Sequence, residues 1–188
     1  MKRLILFAAP LTCAVLLSGC EAGVGTAEPR LDTPFSAEAE ISYNGADCTA
    51  RVSRIEAGRW ELCVTAPYPL EGLIISVNGD ETKLKMYDTE SLADVKSDTV
   101  SMARAIVTAY EAAARDGTSK PFGDGAAVTG SSALGGYTVT VGADMFPVKL
   151  SADAGHLSME LSGFSVLERA ADDNEEAGAM NAPAVLLE

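Results

Sequence analysis

The stretch Leu73-Ile74-Ile75-Ser76-Val77-Asn78-Gly79-Asp80-Glu81-Thr82-Lys83-Leu84-Lys85-Met86 decides the fold that we expect for this chain. Apolar and polar side chains alternate on both sides of its central Asn-Gly pair, which is the period of a half-buried β-strand. An Asn-Gly pair between two such runs is a strong signal for a β-hairpin with a type I′ turn. Taking that pair as the turn, we predict two cross-strand pairs on one face: Leu73 with Leu84 and Ile75 with Thr82.

The same period extends upstream. The run Phe35-Ser36-Ala37-Glu38-Ala39-Glu40-Ile41-Ser42-Tyr43 alternates strictly and ends at Asn44-Gly45, a second turn signal. Residues 49–56 and 59–66 then predict another hairpin. The whole region is therefore expected to form five consecutive antiparallel strands with one apolar face.

The hairpin between residues 49–56 and 59–66 has a predicted register. A two-residue loop at Ala57-Gly58 pairs Ile55 with Trp60 and Arg54 with Glu61. Both pairs are favourable across strands, since the first joins an aromatic to an aliphatic side chain and the second joins opposite charges. In this register, Ile55 shares the core face with Trp60, Leu62 and Val64.

The period then changes from two to that of a helix. Ser91-Leu92-Ala93-Asp94 carries a capping-box pattern and predicts a short helical turn. Asp98 is the expected N-cap of a longer helix over residues 99–115, which Gly117 ends. Glu111 and Arg115 form a supporting i,i+4 pair. The wide apolar stripe, typical of a helix laid on a sheet, comprises Val100, Met102, Ala103, Ile106, Val107, Ala109, Tyr110, Ala113 and Ala114.

The rest of the domain returns to strands. Residues 118–136 are rich in Gly and Ser, and we predict a loop there with one edge strand near residues 127–129. Further strands are expected over residues 137–141, 145–150, 156–161 and 164–167. The fold class is therefore α+β, a curved antiparallel sheet of roughly eight to ten strands with one main helix across its concave face.

The amino terminus carries the most specific motif of the chain. Lys2-Arg3 precedes an apolar run over residues 4–17, which is typical of a secretory signal and too short for a transmembrane helix. Leu17-Ser18-Gly19-Cys20 follows, and it resembles the lipobox of bacterial lipoproteins. That resemblance implies cleavage before Cys20, a diacylglyceryl group on its thiol, and anchoring on the extracytoplasmic face of a membrane. The alternative is an ordinary signal peptide with an incidental cysteine.

The chain therefore divides into four predicted segments. Residues 1–19 are a lipoprotein signal peptide, and residues 20–34, rich in Gly, Ala, Pro and Glu, are a flexible stalk. Residues 35–169 form the folded domain. Residues 170–188 are acidic and poor in aromatic residues, which predicts a disordered tail.

Composition and motifs argue against several functions. With 27 acidic and 14 basic residues the net charge is −13, which argues against nucleic acid as a partner. His156 is the only histidine and has no nucleophile motif beside it, so we interpret it as a surface or structural residue and predict no enzyme. We expect no metal site and no cofactor, because the chain lacks the ligand clusters and the phosphate-binding loop that these need.

After the signal peptide and the lipobox are set aside, Cys48 and Cys63 are the remaining cysteines. They lie in a compartment that permits disulfides. In the predicted register Val52 faces Cys63, which places Cys48 about 13 Å further along the strand at 3.3 Å per residue. A disulfide needs Cα atoms within about 7 Å. The two thiols are therefore unpaired or bonded to another chain, or the register differs.

The order of elements is similar to that of a known family. A lipobox and stalk precede alternating strands that include Trp60-Glu61-Leu62-Cys63-Val64-Thr65-Ala66-Pro67, then a helix, a Gly-rich stretch and Tyr137-Thr138-Val139-Thr140. Over residues 35–168 this resembles lipoproteins of Gram-positive bacteria with a domain like the LolA/LolB lipoprotein carriers. The resemblance implies an incomplete antiparallel β-barrel closed by helices, with a cavity for lipid acyl chains. It also implies that some relatives bind protein partners in the envelope.

Two functions follow as hypotheses. In the first, a membrane-anchored lipoprotein binds an apolar or lipid ligand in the concavity between helix and sheet. In the second, the core is filled and an exposed edge or loop binds an envelope protein. The candidate ligand-binding residues for the first are Trp60, Leu62, Val64, Leu73, Ile75, Leu84, Met102, Ile106 and Tyr110.

Overall fold

The computed structural model describes residues 28–87, 89–92 and 97–168. Within these ranges the chain forms an antiparallel sheet of eleven strands and one α-helix, with short 3₁₀ turns at Tyr68–Leu70 and Ala154–His156. In chain order the elements are β1 (Phe35–Tyr43), β2 (Ala46–Glu56), β3 (Arg59–Ala66), β4 (Ile74–Asn78), β5 (Glu81–Met86), β6 (Thr89–Leu92), α1 (Asp98–Asp116), β7 (Thr118–Phe122), β8 (Gly125–Ser132), β9 (Gly135–Val141), β10 (Pro147–Ala152) and β11 (Leu157–Val166).

Two meanders make up the sheet. The strand order is β6-β5-β4-β3-β2-β1-β11-β10-β9-β8-β7, so the first and last strands pair at its centre. The edges are β6 and β7, and the sheet does not close. A sheet with one helix across its apolar face confirms the expected fold class, with eleven strands in place of roughly eight to ten.

The core lies between α1 and the sheet. Alternate residues of β1 are buried, as the period of two predicts, and ten residues of α1 are buried with them. The helix contacts β4 and, on the other half of the sheet, β8 to β11. Among the described residues, the buried core extends from Leu31 to Leu161.

A β-bulge corrects the predicted register of the β2–β3 hairpin. Glu56 pairs with Arg59 as expected, but the next pair is Arg54 with Trp60. Ile55 is the extra residue of the bulge and is 39% exposed, so its predicted place on the core face is wrong. Because one residue of slip exchanges the two faces of a strand, Arg54 points inward in its place, 3% exposed.

The hairpin of β4 and β5 is confirmed, with a different turn. Asn78 pairs with Glu81 and Ile75 with Leu84, so the two turn residues are Gly79-Asp80 rather than Asn78-Gly79. Gly79 has a φ of 56°, at the first turn position that a type II′ turn reserves for glycine. The register therefore differs by two residues, which keeps every side chain on its predicted face.

Two predictions around the helix need correction. Thr89–Leu92 is a strand, so the capping box does not form a helical turn at Ser91 and Leu92; Ala93 and Asp94 lie outside the described residues. The N-cap of α1 is Ser97, and Asp98 is its first helical residue.

The Gly-rich region is not a loop. It forms β7, β8 and the start of β9, because its glycines allow close approach of neighbouring strands. A Cβ at Gly130 would lie 2.3 Å from the Tyr137 hydroxyl oxygen, and one at Gly125 would lie 2.1 Å from the Val141 carbonyl oxygen. In the same half of the sheet, the two strands predicted over residues 156–161 and 164–167 are the single strand β11.

The end of the predicted stalk packs on the domain. Leu31 is 4% exposed and belongs to the core, and the Arg30 backbone N–H donates to the Met145 carbonyl at 2.9 Å. The flexible stalk expected over residues 20–34 is therefore wrong for its last part. The signal peptide, Cys20 and the tail over 170–188 lie outside the described residues. In the described ranges, no helix has the length and apolar character to span a membrane.

The bulge predicts unequal effects for two isoleucines. We expect Ile75→Ala to lower the free energy of unfolding by about 2–5 kcal/mol, because this fully buried side chain would leave a cavity. Ile55→Ala should cost less than about 1 kcal/mol, because the side chain is already part-exposed. Urea unfolding of both variants measures this, and equal losses would contradict the bulged register.

Candidate functional site

The nine candidate ligand-binding residues all lie in described elements, and most are core. Of these nine, only Leu84 is more than 8% exposed. The rings of Trp60 and Tyr110 meet edge to face with centroids 4.9 Å apart, and Phe35 packs against both. Side chains of α1 therefore fill the centre of the concavity. A ligand-binding role for these residues stays a prediction.

An apolar pocket remains where the helix begins. Its volume is about 210 Å³, and we call it the mouth pocket. Of the nine candidates, Val64 and Met102 line it. The β1–β2 turn, the segment after β3 and the first turns of α1 form its walls, with the lining residues Tyr43, Asn44, Ala46, Asp47, Cys48, Val64, Pro67, Leu70, Asp98, Thr99 and Met102.

Backbone hydrogen bonds fix the wall of the mouth pocket after β3. The Leu70 N–H donates to the Pro67 carbonyl at 2.9 Å, and the Gly72 N–H donates to the Val64 carbonyl at 2.9 Å. The segment thus folds back on β3 and holds the half-buried Leu70 side chain against the core. Sequence analysis did not include Pro67 or Leu70 among the site residues, because this wall of the pocket depends on the later helix.

The interior of the mouth pocket is uncharged. The Cys48 Sγ lies 3.7 Å from the Met102 Sδ. Burial, and after it the nearby Asp47 carboxylate, raises the pKa of the Cys48 thiol, so the thiol stays protonated at neutral pH. Among the described lining residues the charged ones are Asp47 and Asp98, both exposed; residues 93–96, which precede the helix and include Lys96, lie outside the described residues.

Cys48 and Cys63 are both free, which agrees with the unpaired alternative. Cys48 pairs with the buried Ile41 and points inward, whereas Cys63 pairs with the exposed Arg51 and lies between the buried Leu62 and Val64. Because neighbouring residues of a strand point to opposite faces, the sheet itself separates the two thiols.

A buried ion pair lies at the other end of the helix. The Arg54 guanidinium donates from Nε and Nη2 to the two Glu111 carboxylate oxygens at 2.9 and 3.1 Å, and from Nη1 to the Asp32 carbonyl at 2.6 Å. The Trp60 indole N–H also donates to Glu111, at 2.7 Å. The network joins the sheet, the helix and the entering chain, since the sheet contributes Arg54 and Trp60, the helix Glu111 and the entering chain the Asp32 carbonyl.

This network replaces the predicted Glu111–Arg115 pair. Arg115 instead contacts the exposed Asp116 at 2.7 Å. No local pattern identifies Arg54 as the partner of Glu111, because only the bulge at Ile55 brings Arg54 to the inner face.

The outer face of the sheet carries a wide groove of about 510 Å³, whose charged residues are Glu40, Asp47 and Glu160. Glu160 accepts a hydrogen bond from Lys149 at 2.8 Å, which lowers its pKa. No group of three or more potential metal ligands from His, Cys, Asp and Glu occurs in the described part of the chain. His156 is exposed in the 3₁₀ turn before β11, which agrees with the surface alternative of its predicted role.

Comparisons with known proteins concern the fold. No protein-family model matches the chain, and no curated protein matches it. Solved structures that match include an uncharacterized conserved protein from Thermus thermophilus, with 17% identity over 73% of this chain and 80% of that chain at a TM-score of 0.43. A LolA superfamily protein from Nitrosomonas europaea matches with 10% identity over 75% and 89%, also at 0.43. The Mycobacterium tuberculosis lipoprotein LppX matches with 16% identity over 71% and 85%, at 0.30.

LolA superfamily proteins, the class to which the order of elements pointed, are therefore among the solved structures that resemble this chain. At these identities and TM-scores the likenesses assign neither a family nor a function to this chain.

The buried ion pair predicts a contrast between two arginines. Arg54→Met should lower the free energy of unfolding by about 2–4 kcal/mol, because it leaves the Glu111 carboxylate without its cation in a largely buried site. Arg115→Met should leave the free energy of unfolding nearly unchanged, because Arg115 and its partner Asp116 are both exposed. Thermal or urea unfolding measures both, and a large loss for Arg115→Met alone would restore the pair expected from the sequence.

Proposed function

We propose that this protein is an extracytoplasmic lipoprotein, anchored through a lipidated Cys20, whose domain binds one apolar chain in the mouth pocket. The observation that carries the proposal is the pocket itself. It is apolar inside and lies where the helix–sheet core reaches the surface. At the centre of the described concavity, side chains of α1 occupy the space that a ligand would need.

The size of the mouth pocket limits the ligand. Its volume of about 210 Å³ is below the roughly 300–1,000 Å³ of pockets that enclose drug-sized molecules. A single alkyl chain fits this volume better than the two chains of a diacyl lipid. Each buried methylene contributes about 0.8 kcal/mol, so a chain of five to ten carbons gains roughly 4–8 kcal/mol before the costs of association.

The path of the chain also supports this assignment. The Leu167 N–H donates to the Pro34 carbonyl at 3.1 Å, so both ends of the described domain lie near the start of β1. Tyr43, at the mouth pocket, ends β1. Eight residue steps of about 3.3 Å separate the two ends of β1 by about 26 Å. The mouth pocket thus lies at the opposite end of β1 from the segment that connects the domain to Cys20.

A second candidate function rests on a different observation. The edge strands β6 and β7 have exposed side chains throughout. An exposed sheet edge offers unpaired backbone groups to which an extended segment of a protein partner can add as a further strand. In that case the filled centre of the core serves stability alone, and the mouth pocket binds no ligand.

The anchor has a direct test. Cys20→Ser removes the thiol that would carry the lipid, so we expect the protein to leave the membrane fraction and to lose incorporation of labelled fatty acid. Cys48→Ser and Cys63→Ser, which change the other cysteines outside the signal peptide, should leave both properties unchanged. Membrane association that survives Cys20→Ser would refute the lipid anchor and favour an uncleaved leader or a bound partner.

The mouth pocket has a second test, on a chain from Glu21 to Glu188 that retains the complete described core. Titration with 1-decanol should shift the NMR methyl signals of Met102 and Leu70. Leu70→Asp should weaken binding at least about tenfold, because it places a carboxylate against the buried chain. Ile55→Asp, an equally drastic change near the far end of β2, should leave binding unchanged. Shifts confined to other methyls would contradict this site and send the search to the edge strands.

A further inference from the structure

We infer that the domain rests on its membrane through the end at which the chain enters, and that an aromatic patch at this end contacts the lipid surface. The aromatic patch consists of Arg30, Phe146, Phe164 and Val166. This inference rests on the proposed lipid anchor and names the surface that the anchored domain turns toward the membrane. It follows from the length of the tether and from the chemistry of the patch.

The tether between the lipid and the domain is short. The chain joins the fold at Arg30, whose backbone N–H donates to the Met145 carbonyl at 2.9 Å, and the next residue, Leu31, is buried in the core. Ten residue steps separate Arg30 from Cys20, and even a fully extended chain spans at most about 3.6 Å for each step. This end of the domain therefore stays within about 36 Å of the lipidated cysteine.

Contacts join the four members of the aromatic patch to one another or to the core. The Phe146 and Phe164 rings stack with centroids 5.7 Å apart, and the Phe164 ring packs on the core residue Phe35 with centroids 5.1 Å apart. Val166 pairs with Phe35 across β1 and β11 and is 52% exposed. The Arg30 guanidinium carbon lies 5.3 Å from the centroid of the Phe146 ring. The core therefore supports the patch from within, while its members are half-buried or exposed.

Apolar rings beside a cation suit the boundary between lipid head groups and acyl chains. Exposed apolar surface marks interaction sites, and phenylalanine is among the residues that enter this boundary. Among the described residues Arg30 takes part in no ion pair, so its guanidinium is available to a lipid phosphate, which it can bind through two parallel hydrogen bonds. Its apolar stem can lie along the Phe146 ring while the charged group stays among the head groups.

The charge of the chain selects the kind of lipid surface. A net charge of −13 opposes the approach to anionic lipids, and a single arginine does not make a polybasic site. The contact therefore depends on apolar burial and on zwitterionic head groups. Because a short tether gives an effective concentration of the order of 1 mM, a contact too weak to hold a free protein is enough to orient an anchored one.

The test uses the full lipidated protein in phosphatidylcholine vesicles whose acyl chains carry bromine, which quenches the fluorescence of a nearby tryptophan. Val166→Trp places the probe in the aromatic patch. Leu134→Trp places it at another exposed apolar position, in the turn between β8 and β9. Strand pairing through β10 and β11 puts that turn at the same end of the sheet as Ser42, near the mouth pocket. Trp60 is 1% exposed and supplies the background signal.

We expect the probe of Val166→Trp to be quenched at least about twofold more than that of Leu134→Trp, because the patch reaches the acyl boundary and the other end of the sheet does not. Adding Arg30→Glu to Val166→Trp should remove this excess, since a carboxylate is repelled by the lipid phosphates. Lys85→Glu, the same change of charge at an exposed position of β5, should leave the excess intact. Adding the anionic lipid phosphatidylglycerol to the vesicles should reduce it.

The possible results are distinct. Equal quenching in the two tryptophan variants, or stronger quenching in Leu134→Trp, would overturn the inference. An excess that Arg30→Glu does not change would show that the tether alone brings this end close, and would overturn the contact. A probe in Val166→Trp that neither brominated lipid nor acrylamide in the buffer quenches would show that the chain beyond Glu168 or a second copy covers the patch, with the same consequence. Flotation of the vesicles is measured first, because an unchanged protein that does not float with them would refute the proposed lipid anchor itself.

Discussion

The packing of α1 against one face of the sheet is the interaction on which the rest of this structure depends. Eleven strands expose a broad apolar face, and an antiparallel sheet of this kind is stable only when that face is covered. The helix covers it with ten buried side chains, among them the fully buried Ile106 and Tyr110. The position of the helix therefore decides both where the core is filled and where space is left.

The two ends of this packing differ in chemistry. At the carboxyl end of α1, Glu111 is held by Arg54 and Trp60, and the same arginine holds the Asp32 carbonyl of the entering chain. Such a desolvated network is costly to break, because each member would be left without a partner. At the amino end, Met102 lies against the Cys48 thiol, and a small pocket remains. The domain thus has an ion-pair network near its entering chain and a pocket with an uncharged interior at the far end of β1.

Particular residues show how much of the fold is predictable from local patterns. The alternation of residues 35–43 predicts the buried face of β1 correctly, and the β4–β5 hairpin keeps its faces despite a shift of two residues. At Ile55 a shift of one residue is enough to exchange a predicted core side chain for Arg54. In the Gly-rich region composition misleads, because glycine usually marks a loop. Its glycines instead make room for Tyr137 and for neighbouring backbone, contacts between segments that no local pattern contains.

The sequence by itself determined the class of the fold, the faces of most strands, the helix and the excess of negative charge, since periodicity and composition are local properties of the chain. It also placed the nine apolar residues of the candidate site on one side of the sheet. Only the tertiary structure decided that most of them are core and that a pocket is left beside Val64 and Met102. The reason is geometric: whether apolar side chains fill a concavity or line a cavity depends on how closely a helix approaches a sheet, and that distance is set by packing among residues far apart in the chain.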